Sequence, residues 1–272
     1  MESGMTFKEE ILDCDEAGPV PVRVYVGDRL PETPPLVLHL HGGLFLGGSL
    51  ASGARVAGQL ADAGAIVVSV EYAPVNVNPF PAALKFVFDV LEALKRRCAK
   101  LADRKSFLFV AGEEAGGNLA AGVALMARDQ QMSALRGQIL LSPMLDPCMA
   151  TRSFRATEPS AGRCKWADGW NRYLGFAAKA CHPYAAPALS TRLAGVAPAL
   201  VITAEDDPMR DESLNYARRL REAGVLVHEH VLIGPTGWPA AYADEAGDRQ
   251  DWEEKIRGDF AAFFQQTGAL PS

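Results

Sequence analysis

Short, nearly all-apolar runs recur along this chain between longer segments with helical spacing, and that rhythm limits the fold more than any other feature. "PPLVLHLH" (residues 34–41), "AIVVSVEY" (65–72), the run 107–111, "GQILLSP" (137–143) and "ALVITAE" (199–205) are too short to be helices and carry few polar positions. A strand apolar on both sides is one covered on both faces. Between these runs stand amphipathic stretches at 52–64, 80–97, from 114 onward, 211–223 and 249–267, with Pro81 in a first turn, where proline is tolerated. Alternation of this kind predicts an α/β fold with a mostly parallel sheet and helices on both faces. "VPVRVYV" (20–26) alternates, as a half-buried strand does. "VHEHVLI" (227–233) reads as a last strand at the sheet edge, with His228 and His230 on one solvated face.

The rhythm breaks once. Residues 146–195 hold one predicted helix, "KWADGWNRYLGFAAKA", inside about fifty otherwise irregular residues, too long for a connector. The expectation is a small inserted lid on a single domain of residues 1–272. Trp166, Trp170, Tyr173 and Phe176 repeat at helical spacing there, which marks a packing face first and, in a lid, a face toward a ligand.

Composition removes several classes of function. With 27 basic and 33 acidic residues the net charge is −6, which disfavours nucleic acid and anionic membrane as partners. No apolar run reaches the length of a bilayer crossing, and "MESGMTFKEEILD" lacks the basic start and apolar stretch of a secretory signal. Five cysteines without close pairing or zinc-like spacing read as free thiols in a reducing, cytoplasmic setting. No cofactor or metal is expected, and the expected partner is a small molecule.

In open parallel sheets ligands bind at the carboxyl ends of the strands, and four motifs fall at such ends. "HLHGGLFLGGS" (39–49) offers glycines whose N–H groups can turn toward a developing oxyanion. "AGEEAGGNLA" (111–120) has the G-x-S-x-G frame of a nucleophile elbow, with Gly112 and Gly116 in place and Glu114 where the serine belongs. "TAEDDPMRDES" (203–213) places acids after a strand, and "IGPTGWPAAY" (233–242) is a glycine-proline loop after the last one.

In this order, together with "VEYAPVNVNPFPAAL" (70–84) and "YARRLREAGV" (216–225), these motifs resemble the hormone-sensitive-lipase-like carboxylesterases of the α/β-hydrolase superfamily from about residue 35 to 264. The resemblance implies an α/β-hydrolase fold, an oxyanion hole of Gly42 and Gly43 with the N–H of Ala115, and Asp207 as triad acid. Leu44 stands for the third glycine of "HGGG", and Thr236 stands for the triad histidine, since "TGW" replaces "HGF". His41 is implied to orient the oxyanion loop, and pairing of family members through the last strand and helix makes a homodimer an expectation.

Serine nucleophiles need a histidine to take their proton, so conventional esterase activity is expected to be absent or weak. Three readings of Glu114 stay open. The pocket, with His41, Leu44, Trp170 and His182 of the lid as candidate lining, binds a small apolar carbonyl or ester-like ligand without hydrolysis. Or Glu114 and Asp207 approach each other, bridged by Thr236, and work as acid and base in a lyase, isomerase, cyclase or dehydratase. Or Glu114 is a covalent nucleophile, resembling the elbow aspartate of superfamily relatives that cleave haloalkanes and epoxides. Glu113 is expected in a salt bridge or a solvated turn, and His39 in the core.

Overall fold

The computed structural model describes residues 6–72, 79–156, 161–242 and 250–270, so part of the 70–84 motif lies outside the described residues. Strands β1 (Phe7–Asp13), β2 (Pro19–Val26), β3 (Leu36–Leu40), β4 (Ile66–Val70), β5 (Leu108–Glu113), β6 (Leu135–Leu141), β7 (Ala199–Ala204) and β8 (Val227–Leu232) form one sheet in the order β1-β2-β4-β3-β5-β6-β7-β8. The pairs from β4 to β8 are parallel, while β1 and β2 add an antiparallel margin.

Helices α1 (Ala54–Asp62) and α7 (Asp251–Gln266) pack on one face; α2 (Ala82–Leu101), α3 (Glu114–Asp129) and α6 (Arg210–Glu222) pack on the other. The period of two in β3 sorts its side chains between them: Leu36, Leu38 and Leu40 join the α2–α3–α6 core, and Val37 joins the α1–α7 core. This is why the central strands read as continuous apolar runs.

Between β6 and β7 the chain makes helices α4 (Arg152–Ala156) and α5 (Ala161–Leu174). Helix α5 lies against the loop after β3 so closely that a Cβ on Gly169 would come within 1.8 Å of the Leu44 carbonyl oxygen. The Phe45 ring stacks on Tyr173 at 4.1 Å and tilts against Trp170 at 5.4 Å. Trp166, Trp170 and Tyr173 are buried, whereas Phe176, expected on the same face, is 73% exposed because α5 ends two residues before it.

The last strand is an edge strand, but His228 and His230 are half-buried rather than solvated. Helix α7 covers their face: His230 Nδ1 lies 2.6 Å from Asp259 Oδ2, and the His228 ring meets Phe263. Among the described residues no helix is long and apolar enough to cross a membrane, and no three His, Cys, Asp or Glu side chains group as a metal site.

Candidate functional site

Strand β5 turns into α3 at Glu114, whose φ of +55° is the strained left-handed conformation of an elbow. Close backbone approach permits it: a Cβ on Gly112 would sit 2.4 Å from the Gly116 carbonyl carbon. Facing the elbow, Gly43, Leu44 and Phe45 all have positive φ (129°, 58° and 60°). This run of left-handed residues, held by the N–H groups of Leu46 and Gly47 on the Gly43 carbonyl, turns two N–H groups inward. Both donate to the Glu114 carboxylate, Gly43 at 2.8 Å and Leu44 at 3.0 Å from Oε2. Ala115 follows, fully buried.

Of the donors expected for an oxyanion hole, the Gly42 N–H points elsewhere, to Glu113 Oε1 at 3.1 Å. Glu113 is not in a solvated turn; it is fully buried, and its other oxygen lies 2.9 Å from His39 Nε2. His39 is a core residue as expected, with Nδ1 2.9 Å from the Ser69 hydroxyl. His41 stacks on Tyr72 at 4.2 Å and places Nδ1 2.8 Å from the Gly42 carbonyl, while the Tyr72 hydroxyl donates to the His41 carbonyl. Burial lowers the His41 pKa, which leaves a neutral ring buttressing the loop.

The acid at 207 does not reach Glu114. Asp207 Oδ2 accepts the hydroxyls of Ser142 (2.6 Å) and Thr203 (2.5 Å), and Oδ1 accepts the Met209 N–H (2.8 Å). Nor does Thr236 bridge the two carboxyls, because its hydroxyl donates to Asp206 Oδ1 at 2.9 Å. Asp206 Oδ2 also takes the N–H groups of Thr236 and Gly237 at 2.8 and 2.9 Å, a ring of donors that pins the loop after β8. Burial opposes ionisation of Asp206, yet these donors together hold its carboxyl below the ordinary range. No motif in the sequence marks the residues that do crowd Asp207. Tyr242, 3% exposed, places its hydroxyl 3.0 Å from Ser142 Oγ.

Of the expected lining residues, Leu44 meets Glu114 through its N–H, and Trp170 covers the loop through Phe45. His182 does neither. It is exposed, 4.9 Å from the Phe80 ring, and lines a separate surface depression with Arg128, Tyr184 and Arg192.

Glu114 is 8% exposed, and burial pushes its pKa from 4.5 up to about 7; the N–H groups of Gly43 and Leu44 resist this, and the neighbouring Glu113 charge adds to it. Below pH 4.5 the carboxyl is protonated in both folded and unfolded chains. Between 4.5 and about 7 the unfolded chain releases this proton first, so stability falls as pH rises and then levels off. The gap corresponds to about 3 kcal/mol. Glu114→Gln is expected to remove this component, so that the difference in urea-denaturation stability between variant and wild type grows in favour of the variant from pH 4.5 to 7. A pH-independent difference would show that the folded carboxyl titrates normally.

Residues 37–235 match the Abhydrolase_3 model, described as an α/β hydrolase fold. Carboxylesterase NlhH of Mycobacterium tuberculosis (strain ATCC 25618 / H37Rv) is 32% identical over 233 residues, which cover 82% of this chain and 72% of that protein. An ethyl acetate hydrolase of Pseudomonas putida is 32% identical over 228 residues, covering 80% and 70%. Among solved structures, the thermophilic carboxylesterase EstE1 from a metagenomic library superposes with a TM-score of 0.86 at 26% identity, covering 100% of this chain and 92% of its own. A thermostable esterase from Pseudomonas putida ECU1011 gives 0.83 at 28% identity, covering 96% and 83%. With its parallel sheet, its elbow at residue 114 and the glycine loop facing that elbow, the chain belongs to the Abhydrolase_3 family of α/β-hydrolase folds, among carboxylesterase relatives.

Proposed function

We propose that this protein uses a carboxylesterase scaffold to bind a small carbonyl-bearing ligand and does not run the serine-esterase cycle. One observation carries the reading: the Glu114 carboxylate accepts the Gly43 and Leu44 N–H groups, the donors a tetrahedral intermediate would require. A serine cycle needs a hydroxyl at the elbow, an imidazole to deprotonate it and vacant oxyanion donors. Here the elbow side chain is a carboxylate, the side chain at 236 is a hydroxyl tied to Asp206, and the donors already have an acceptor. A ligand carbonyl reaches them when Glu114 swings aside beneath α5, which acts as the lid, with Trp166 and Trp170 forming its underside.

A second reading draws on a different observation. A buried carboxyl titrating near neutrality, beside donors that stabilise an enolate oxygen, is suited to removing a proton alpha to a carbonyl. In that reading Glu114 acts without Asp207, whose oxygens are held by Ser142, Thr203 and Met209.

p-Nitrophenyl acetate tests the main reading. Wild type is expected to release nitrophenolate no faster than the buffer blank. Glu114→Ala frees two N–H donors and is expected to bind the same ester about tenfold more tightly in an NMR titration, the value of one hydrogen bond of about 1.4 kcal/mol. Brisk turnover by wild type sinks the reading, as does equal ester binding by the two proteins.

A further inference from the structure

Three side chains from three parts of the chain, Ser142, Asp207 and Tyr242, meet at the carboxyl ends of β6 and β7, beside the elbow. Glu113 is in register with Leu141, so Ser142 lies beside Glu114 at the end of the neighbouring strand, and the Met144 N–H donates to the Glu114 carbonyl. Ser142 has a φ of +41° and sends its N–H to the Ile202 carbonyl of β7, which aims its hydroxyl toward Asp207.

We infer that Tyr242, acting through Ser142, fills the seat beside Asp207 that a catalytic imidazole would have to occupy, so that the third polar partner of this site is a phenol and not the side chain at 236. This rests on the reading of residues 114 and 207 as elbow and acid. The hydrogen-bond inventory supports it. Ser142 donates its single hydroxyl proton to Asp207 Oδ2. The Ser142–Tyr242 bond must then run from the phenol to Ser142 Oγ, giving an oriented chain from Tyr242 through Ser142 to Asp207. With Thr203 and Met209 also donating, Asp207 accepts three hydrogen bonds and has room for about one more.

The phenol is not a loose occupant. Its ring packs on Trp238 at 4.7 Å and edge-on against Trp252 at 6.0 Å. Burial and the Asp207, Glu113 and Glu114 charges all oppose phenolate formation, so Tyr242 stays a neutral donor and not a base. Meanwhile the Asp206 ring of donors fixes residue 236 toward the wrong acid of the Asp206–Asp207 pair. A histidine placed at 236 meets Asp206 first and finds the approach to Asp207 filled.

The test compares hydrolysis of p-nitrophenyl acetate by Glu114→Ser, by Glu114→Ser/Thr236→His, and by the triple variant that adds Tyr242→Ala. The double variant is expected within twofold of the single, and the triple at least tenfold faster than the double. Equal rates for double and triple overturn the inference. If the triple variant does not fold, the double decides by proton NMR: an imidazole N–H bound to the Asp207 carboxylate gives a far-downfield resonance, whose absence supports the inference and whose presence overturns it. Turnover by wild type would overturn the ligand-binding proposal separately, because the Tyr242 comparison is made entirely among variants carrying serine at 114.

Discussion

Gly116→Ala is expected to cost about 4 kcal/mol or more, a large share of the roughly 5–15 kcal/mol that holds a typical domain folded. A Cβ at this position would lie 2.0 Å from the Leu40 carbonyl oxygen, 2.5 Å from that of His41 and 2.6 Å from the Leu40 carbonyl carbon. All three are backbone atoms at the end of a fully buried central strand, so no side-chain rotation relieves the clash. Helix α3 must retreat from β3, and its buried inner face leaves a gap in the larger core. The same contact sets the site. Gly116 follows Glu114 in the first turn of α3, and Leu40 leads directly into the loop that carries Gly43 and Leu44, so retreat of the helix separates the carboxylate from its donors. Gly258→Ala is the control of opposite sign. Gly258 is exposed in α7 with nothing within 4 Å of a new Cβ, and alanine there is expected to add about 0.5–1 kcal/mol by helix propensity. Urea denaturation of the two variants should bracket wild type; a Gly116→Ala protein within about 1 kcal/mol of wild type would mean that α3 and β3 are not in this contact.

What the sequence reveals and what it hides divide along a physical line. Strands covered on both faces announce themselves by continuous apolar runs, and the elbow by two glycines whose Cβ atoms have no room. Strand β1 leaves no mark in the sequence because a margin strand buries only Leu12 of its seven residues and carries no alternation. His228 and His230 do alternate on one face, but whether that face meets water depends on where α7 returns, which no local pattern encodes. The site shows the same limit more sharply. The elbow frame is local, while the Glu113–His39 contact joins residues 74 apart and the Ser142–Tyr242 contact joins residues 100 apart. Two adjacent acids, Asp206 and Asp207, compete for the loop after β8, and only the backbone geometry decides that Asp206 takes Thr236. Glu114 is placed by a rule of spacing; its reach across to Gly43 and Leu44 follows from three consecutive left-handed residues, two of which carry side chains that do not advertise that conformation.

Glu113→Ala is expected to cost about 3–5 kcal/mol, the scale of leaving two hydrogen-bonding groups without their partner at about 1–3 kcal/mol each. Glu113 and His39 are both fully buried, so truncation leaves His39 Nε2 without a partner where water does not reach, and it also removes the acceptor of the half-buried Gly42 N–H. Glu113→Gln separates shape from charge. Its amide oxygen can keep the Gly42 N–H, and its amide N–H can donate to His39 Nε2 once the imidazole moves its proton to Nδ1, where the Ser69 hydroxyl accepts at 2.9 Å. Glutamine is therefore expected within about 1.5 kcal/mol of wild type, the scale of one exchanged hydrogen bond. The order wild type, Gln, Ala in urea-denaturation stability tests this, and an alanine variant as stable as the glutamine variant would place the pair outside the load path. The effect extends to the site because Gly42 adjoins Gly43: the Glu113 carboxylate fixes the first residue of the loop, and the Glu114 carboxylate fixes the next two. Two consecutive glutamates thus anchor three consecutive N–H groups. The loop that relatives are implied to keep open for a substrate oxygen is here held from beneath by one acid and occupied from within by the other.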